Sequence, residues 1–114
     1  MAETIFNKII RKEIPAQIVF ENDEILAFRD VSPQAPLHVL IIPKKTISTL
    51  NDATDADVLL IGKIVLAAAE IAKKEGISEN GYRLVMNCNQ DGGQSVYHLH
   101  FHLLGGRKLT WPPG

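Results

Sequence analysis

The 114-residue chain lacks several features that mark specialised classes of protein. Its single cysteine, Cys88, excludes an internal disulfide, and with no second cysteine nearby it is a poor metal ligand. Twelve lysines and arginines against thirteen aspartates and glutamates give a formal net charge of -1, so no broad positive surface attracts nucleic acid or an anionic membrane. We therefore expect neither as a partner. Any anionic ligand must be held by local groups.

Long uninterrupted apolar runs are also missing. The most apolar stretch, residues 58–72, contains Lys63 and Glu70 and is too short to cross a bilayer. The amino terminus has neither the basic start nor the apolar core of a signal peptide, which favours a cytoplasmic protein. Hydrophobic residues at 46% and charged residues at 22% are ordinary for a folded protein, and the length suits one domain over residues 1–114.

Branched, aromatic and turn-forming residues are distributed as in an α+β domain. Thr4 is a predicted N-cap for a short helix that the Ile14-Pro15 pair ends. The pattern predicts five mostly antiparallel strands, with Asn22-Asp23 as the turn of a hairpin between the first two. These strands are expected at residues 18–20, 24–30, 38–42, 82–88 and 96–104. The third is nearly all apolar, which predicts cover on both its faces.

A second, long helix is predicted to begin after Thr54 and to end before Gly76. Thr54 and Asp57 resemble a capping box, and Gly76 follows two lysines at the expected end. With the first helix, it is expected to lie on one face of the sheet. Large aliphatic residues cover most of its circumference, more than a single sheet face can bury. We therefore expect a second copy of the chain to cover the remainder, where Gly62 would permit close approach.

Three of the four histidines alternate with apolar residues in the stretch SVYHLHFHLLGG, which begins at Ser95. Side chains alternate across a strand, so His98, His100 and His102 would share one face of the fifth strand. We expect this histidine face to be exposed. The opposite face would be covered by the long helix and consists of Leu99, Phe101 and Leu103.

Three interpretations of the histidine face stay open at this point. Histidines occur as ordinary polar surface residues, although three of four in one row make chance a poor explanation. A metal site is the second, with His38 or Asp30 as further ligands, but three rings in a straight row rarely converge on one ion. The third is catalysis: imidazole, with a pKa of about 6.5, can attack phosphorus, and a neighbouring imidazolium can protonate the leaving group.

Residues near the histidines suit a phosphorylated ligand. The stretch DGG at residues 91–93 lets backbone N–H groups approach an anion, although it also suits a plain hairpin connection. Ser95 and Asn87 add neutral donors. Asp30, at the end of the second strand, could accept hydrogen bonds from ribose hydroxyls or simply cap the loop at Ser32.

The stretch HLHFHLL from His98 resembles the signature of the histidine triad family and is highly specific. The stretches TIFNKIIRKEIPA from Thr4, DVSPQAPLHVLIIPKK from Asp30 and DGGQSVYHLHFHLLGGRKLTWPPG from Asp91 resemble the Hint branch, the histidine triad nucleotide-binding proteins, over nearly the whole chain. The resemblance implies a homodimer whose sheet continues across both subunits.

The resemblance further implies a purine nucleoside phosphoramidase. Such an enzyme hydrolyses the P–N bond of adenosine or guanosine 5'-monophosphoramidates through a nucleotidyl-histidine intermediate, with no metal or other cofactor. A purine-nucleotide-binding module without catalysis is the alternative.

The resemblance also implies roles for individual residues. His100 is the expected nucleophile, and His102 would contact the phosphate and assist the leaving group. His98 and His38 would orient His100, and Asp30 would bind the ribose hydroxyls. The remaining expected contacts are Asn87, Gly93, Ser95 and Val96 around the phosphate and Phe6, Ile9, Phe28 and Val31 around the purine.

The chain departs from the family pattern in two places. Cys88-Asn89 stands where Glu-Gly is expected, which affects closure of the phosphate loop, and Arg29 replaces a frequent histidine beside the ribose carboxylate. The resemblance also implies that the tail at residues 111–114 crosses toward the partner's site.

Overall fold

Five strands form one antiparallel sheet in the computed structural model, which describes residues 3–114. The strands are β1 (Ile18–Glu21), β2 (Ile25–Arg29), β3 (Leu37–Pro43), β4 (Tyr82–Met86) and β5 (Phe101–Gly105). Their spatial order is β1-β2-β3-β5-β4, and each neighbouring pair is antiparallel. The predicted α+β fold and the β1-β2 hairpin are confirmed. In the hairpin turn, the Asn22 side chain accepts hydrogen bonds from the backbone N–H groups of Glu24 and Ile25.

The described residues form three α-helices beside the sheet: α1 (Ile5–Ile10), α2 (Val58–Lys74) and the single turn α3 (Asn89–Gly92). The predicted N-cap of α1 is confirmed, because the Thr4 hydroxyl accepts from the Phe6 N–H. The helix ends before the predicted Ile14-Pro15 boundary, and Lys12 turns the chain away with a φ of 63°.

Helix α2 begins at Val58, three residues later than the predicted capping box implied, because one turn of 3-10 helix intervenes. Thr54 and Asp57 form the expected capping box on a single turn of 3-10 helix, Asp55–Asp57, and α2 follows directly. A second such turn, Leu50–Asp52, was not predicted and is capped in the same way by Thr49. No helix within residues 3–114 is both long and apolar enough to span a bilayer.

Helices α1 and α2 cover opposite faces of the sheet, so the prediction of one helical face is wrong. Alternation along β3 explains why: Val39 and Ile41 pack in the cluster that contains α2, whereas Leu40 and Ile42 pack in the cluster that contains Phe6 of α1. The expectation that this apolar strand is covered on both sides is confirmed. Every residue of β3 is buried.

Strands β4 and β5 are both shorter than predicted. The fourth strand ends at Met86 because the chain turns into α3 three residues later, at Asn89. The fifth begins at Phe101 rather than at residue 96, and the backbone N–H of Leu99 instead donates to Ile47, 2.6 Å away. The predicted apolar face of this segment is nevertheless confirmed. Leu99, Phe101 and Leu103 all lie in the core beneath α2.

One side of α2 remains exposed in the single chain. Leu59 and Leu66 are 77% and 70% exposed, and Val58 and Val65 lie on the same stripe. Strand β4 lies at one edge of the sheet: it pairs with β5 along one side, and its other side is unpaired within residues 3–114.

Candidate active site

His100 has one ring nitrogen held by the main chain and the other free. Its Nδ1 lies 2.8 Å from the carbonyl oxygen of His98. A carbonyl oxygen only accepts, so Nδ1 carries the hydrogen and Nε2 of the neutral ring keeps its lone pair. Within residues 3–114 the ring's hydrogen bond is made by Nδ1 and none is made by Nε2, and the ring lines a cavity. The ring is also positioned by Phe6, whose centroid lies 5.1 Å away in an edge-to-face arrangement.

His102 and His38 form a hydrogen-bonded pair. Their residues are diagonal neighbours on β5 and β3, since His38 pairs with Leu104 and His102 with Leu40 in the register of the two strands. Nε2 of His38 lies 2.9 Å from Nδ1 of His102. The side chain of His38 therefore contacts His102, and no hydrogen bond within residues 3–114 joins it to His100, which it was expected to orient.

His98 is buried outside the sheet, and its side chain does not line the cavity. Nε2 donates to the carbonyl oxygen of Pro43 at 2.7 Å, and Nδ1 has no partner in the part of the chain that the structure describes. A lone pair without a donor is tolerable only while the ring is neutral, because a buried imidazolium would need a second acceptor. His98 contacts His100 through its main-chain carbonyl and not through its imidazole.

The histidine face is not exposed, which corrects the sequence expectation. His98, His100 and His38 are buried and His102 is half-buried, because α1 covers this side of the sheet. Burial lowers the pKa of each of the four rings below its ordinary value, and that of His102 falls to about 4. All four rings are therefore neutral at pH 7.

Asp30 caps the loop, which is one of the two roles considered for it from the sequence, and it also lies beside His38. One carboxylate oxygen accepts the backbone N–H of Ser32 at 2.8 Å, which is the loop cap. The other lies 3.4 Å from Nε2 of His38, and the residue lines the same cavity as His100 and His102. Its negative charge opposes the effect of burial on the pKa values of these rings.

Within residues 3–114, one group of side chains has potential metal-ligand atoms within 4.8 Å of one another. It consists of Asp30, His38 and His102. His98 and His100, the other two histidines of the row, lie outside this group. The hydrogen bond between the two imidazoles accounts for the arrangement of His38 and His102 without an ion.

The cavity has a volume of about 290 Å³ and joins these polar groups to an apolar wall. Phe6 and Phe28 pack edge to face at 5.5 Å and form part of that wall. Nine of the thirteen expected site residues line it: Phe6, Ile9, Phe28, Asp30, Val31, Ser95, Val96, His100 and His102. Sequence reasoning missed Ile5, Ile14, Pro15, Ala16 and Leu40. Of these, Leu40 was detectable, because it lies two residues after His38 on the same face of β3.

Comparison with known proteins agrees with this geometry. Residues 11–109 match the HIT domain family. The chain belongs to the HIT domain family.

Individual members resemble the chain over almost its full length. An uncharacterized HIT-like protein of Synechococcus elongatus is 59% identical over 98% of this chain and 97% of its own. The purine nucleoside phosphoramidase of Escherichia coli K12 is 58% identical over 94% of this chain and 90% of its own. The crystal structure of a HIT family hydrolase from Legionella pneumophila, 59% identical, superposes with a TM-score of 0.96 and covers 98% of this chain and 100% of that one.

The glycine-rich segment of this HIT domain is not the open loop that its sequence suggests. It forms α3, and the backbone N–H groups of Gly93 and Gln94 donate back to the carbonyls of Gln90 and Asn89. Gly93, at a φ of 82°, ends the turn in a left-handed conformation that suits glycine. Its N–H is therefore not available to a phosphate, and Gly93 and Asn87 do not line the cavity.

The backbone after this turn offers the free donors instead. Within residues 3–114, the N–H groups of Ser95 and Val96 have no acceptor, and both residues line the cavity. The buried Gln94 side chain fixes their position, since it donates to the carbonyls of Ser48 and Val96 and accepts from the N–H of Asn89. Gln94 was not identified from the sequence.

Arg29, one of the departures from the family pattern, lies beside Asp30 and lines the cavity. Its guanidinium is held by Glu75 at the end of α2, 2.9 Å away. The other departure, Cys88, is half-buried and immediately precedes α3.

Proposed function

We propose that this chain is a purine nucleoside phosphoramidase that hydrolyses the P–N bond of adenosine or guanosine 5'-monophosphoramidates through a nucleotide covalently bound to His100. The observation that carries the proposal is the hydrogen bond from Nδ1 of His100 to the carbonyl of His98, which directs the lone pair of Nε2 toward the cavity. The activity named for the 58% identical E. coli relative supports the choice of substrate.

In the first step, Nε2 of His100 attacks phosphorus and a new P–N bond forms. The bond to the leaving nitrogen breaks, its electron pair stays on that nitrogen, and the nitrogen takes one proton from solvent to leave as an amine. The bound imidazole is now positively charged. Its Nδ1–H already donates to the His98 carbonyl, and a charged donor makes that hydrogen bond stronger.

In the second step, a water molecule attacks the same phosphorus. The bond to Nε2 breaks and its electron pair returns to the ring, while the water releases one proton to solvent. The products are a nucleoside 5'-monophosphate and His100 in its starting state. Dividing one difficult displacement into two is the general advantage of covalent catalysis.

The cavity suggests where each part of a nucleotide binds. The purine lies against the apolar wall of Phe6, Ile9 and Phe28, with Val31 at the rim, where its side chain is exposed. The free N–H groups of Ser95 and Val96 hold the phosphate. Asp30 accepts the ribose hydroxyls, and Asn87 and Gly93 act only through the turn that precedes these donors. A small purine nucleotide is therefore the proposed ligand, and no residue of the chain is assigned to a metal.

The proposal is tested by incubating the purified protein with adenosine 5'-monophosphoramidate and measuring AMP release. An acid-quenched sample should contain protein whose mass is increased by one AMP unit, and His100→Ala should lose both the adduct and the turnover while still binding AMP. Turnover in His100→Ala at the rate of the unmodified protein would contradict the assignment.

Two other readings have distinct outcomes in the same assays. A nucleotide-binding module without catalysis would bind AMP tightly and turn over no phosphoramidate. A metalloenzyme that uses Asp30, His38 and His102 would contain stoichiometric metal by elemental analysis and would lose activity with a chelator.

We further propose that the chain forms a homodimer through α2 and the free edge of β4. The exposed aliphatic stripe of α2, with Leu59 and Leu66 at its centre, supports this, because apolar surface of this extent on one helix favours association. A second β4 strand would satisfy the unpaired edge and continue the sheet. The tail would then extend toward the partner, with Trp111, 81% exposed, as its apolar residue.

A further inference from the structure

The loop before β3 places a backbone donor against the far side of the histidine pair. The N–H of Gln34 lies 3.0 Å from Nδ1 of His38. An amide N–H can only donate, so Nδ1 of His38 must accept and carries no hydrogen. A neutral imidazole with a free lone pair on Nδ1 carries its hydrogen on Nε2.

That hydrogen determines the state of His102. Nε2 of His38 donates across 2.9 Å to Nδ1 of His102, so this Nδ1 accepts and the hydrogen of His102 lies on its Nε2. A positively charged His102 would carry a hydrogen on Nδ1 as well, directly opposed to the N–H of His38. The chain of contacts from Gln34 through His38 therefore favours a neutral His102 with an N–H group on the side away from His38.

We propose that Gln34 is a positioning residue, whose backbone N–H fixes the tautomers of His38 and His102 so that His102 presents a neutral Nε2–H donor to the substrate. The inference rests on the phosphoramidase function proposed above. It assigns His102 to hydrogen bonding with a phosphate oxygen and not to protonation of the leaving nitrogen, which takes its proton from solvent as the P–N bond breaks.

The groups around His102 act in the same direction. Its ring centroid lies 5.0 Å from that of His100 and 5.2 Å from that of His38, and a charge on any of these rings would disfavour a charge on the others. Asp30 is the carboxylate that faces this group, and it contacts His38 rather than His102 at ion-pair distance. Burial, followed by the two neighbouring histidines, lowers the pKa of His102 to about 4 despite Asp30.

The backbone N–H of Gln34 is held in place by contacts to backbone groups of its loop. The Arg107 guanidinium donates to the Gln34 carbonyl oxygen at 3.0 Å. At the start of the loop, Asp30 accepts the N–H of Ser32. The Gln34 side chain is exposed and donates to the Ser32 carbonyl, away from the histidines. The proposed function of this residue therefore depends on its backbone N–H and not on its side-chain amide.

The tautomers can be measured without any substrate. Protein labelled with 15N-histidine is examined at pH 7 by long-range 1H–15N correlation. We expect His38 and His102 to show an unprotonated Nδ1 and a protonated Nε2, and His100 to show the reverse. A doubly protonated His102, or a His102 with its hydrogen on Nδ1, would overturn the proposal. Failure of the phosphoramidase assay would leave these shifts unchanged, so the two failures are distinguishable.

A pair of substitutions then tests the donor itself. Gln34→Ala retains the N–H, and Gln34→Pro removes it. We expect Gln34→Ala to keep the 15N pattern and the kcat of the unmodified protein. Gln34→Pro should mix the tautomers of His38 and His102 and lower kcat about tenfold, because the free energy of roughly one hydrogen bond corresponds to a factor of that size.

Arg107→Ala, compared with Arg83→Ala, provides an independent check, since Arg83 donates to the Thr110 carbonyl on another part of the surface. Arg107→Ala should shift the His38 and His102 resonances toward mixed tautomers, and Arg83→Ala should not. Identical 15N patterns and kcat values in Gln34→Pro and Gln34→Ala would overturn the proposal.

Discussion

The carbonyl oxygen of His98 lies 2.8 Å from Nδ1 of His100, and this contact separates the roles of two histidines that look equivalent in the sequence. The imidazole of His98 is fully buried and donates to Pro43, so it stabilises the segment that carries the carbonyl. His100 uses that carbonyl to orient its own ring.

We expect substitution of these two residues to have opposite consequences. His98→Ala removes a buried ring and leaves the Pro43 carbonyl without its donor, which should lower the free energy of unfolding by about 2–4 kcal/mol. His100→Ala should leave stability much closer to that of the unmodified protein but reduce kcat at least about a thousandfold. Urea unfolding and AMP-release kinetics on both variants provide the comparison. A stable His98→Ala protein with activity as low as that of His100→Ala would contradict this division.

Ser95 should matter less than the nucleophile. Ser95 lines the cavity, and its hydroxyl is a neutral donor in addition to its backbone N–H. Ser95→Ala keeps the N–H and removes the hydroxyl, and loss of one such donor commonly costs on the order of a hundredfold in kcat. Ser95→Ala should therefore retain measurable turnover and still form the His100 adduct. Ser78→Ala, on an exposed residue that does not line the cavity, is the matched control and should behave as the unmodified protein. Equal losses for Ser95→Ala and His100→Ala would invalidate the ranking.

The buried histidines should make stability depend on pH. Burial lowers the pKa of His38, His98, His100 and His102 in the folded chain, so below about pH 6.5 the unfolded chain binds more protons than the folded one. The free energy of unfolding is therefore greatest above this pH and falls as pH decreases. Each histidine adds a slope of up to about 1.4 kcal/mol per pH unit between its unfolded and folded pKa values, which for His102 extends to about pH 4.

Urea titrations at closely spaced values from pH 7 to pH 5 measure this dependence. His102→Gln should show a shallower slope in that range, because one titrating ring is removed. Carboxylates with lowered pKa values, such as Asp57 beside Lys45, lose their stabilising effect only at lower pH, so they do not mimic the result. A free energy of unfolding that stays constant from pH 7 to pH 5 would exclude neutral, buried histidines.

The homodimer is tested by a charge on the exposed stripe of α2. Leu66→Glu should convert the dimer to a monomer in light scattering after size-exclusion chromatography, because a carboxylate at the centre of an apolar interface cannot be desolvated without a partner. Leu50→Glu places the same charge on another exposed leucine, outside α2, and should leave the dimer intact. A monomer for the unmodified chain at micromolar concentration would rule out the proposal.

The helices and strands were predictable from the sequence wherever they depend on residues close together in the chain. The capping box at Thr54 and Asp57, the hairpin turn at Asn22 and the apolar β3 were all predictable, because each depends on neighbours in the chain. The fifth strand was predicted to begin too early, because apolar and polar residues already alternate over residues 96–100, before the sheet pairing starts at Phe101. Alternation records which face is buried and does not record where the hydrogen-bonded ladder begins.

The order of residues alone identified the family and named the cavity histidines, since three alternating imidazoles beside apolar residues are rare and specific. It could not identify the hydrogen-bond partner of each ring. His98 donates to Pro43, which is 55 positions away, and His38 to His102, which is 64 positions away. These contacts depend on how β3 and the segment before β5 pack together. The tertiary structure therefore decided which imidazole nitrogens keep a lone pair and which present a hydrogen, because that depends on carbonyl and amide groups brought close only by folding.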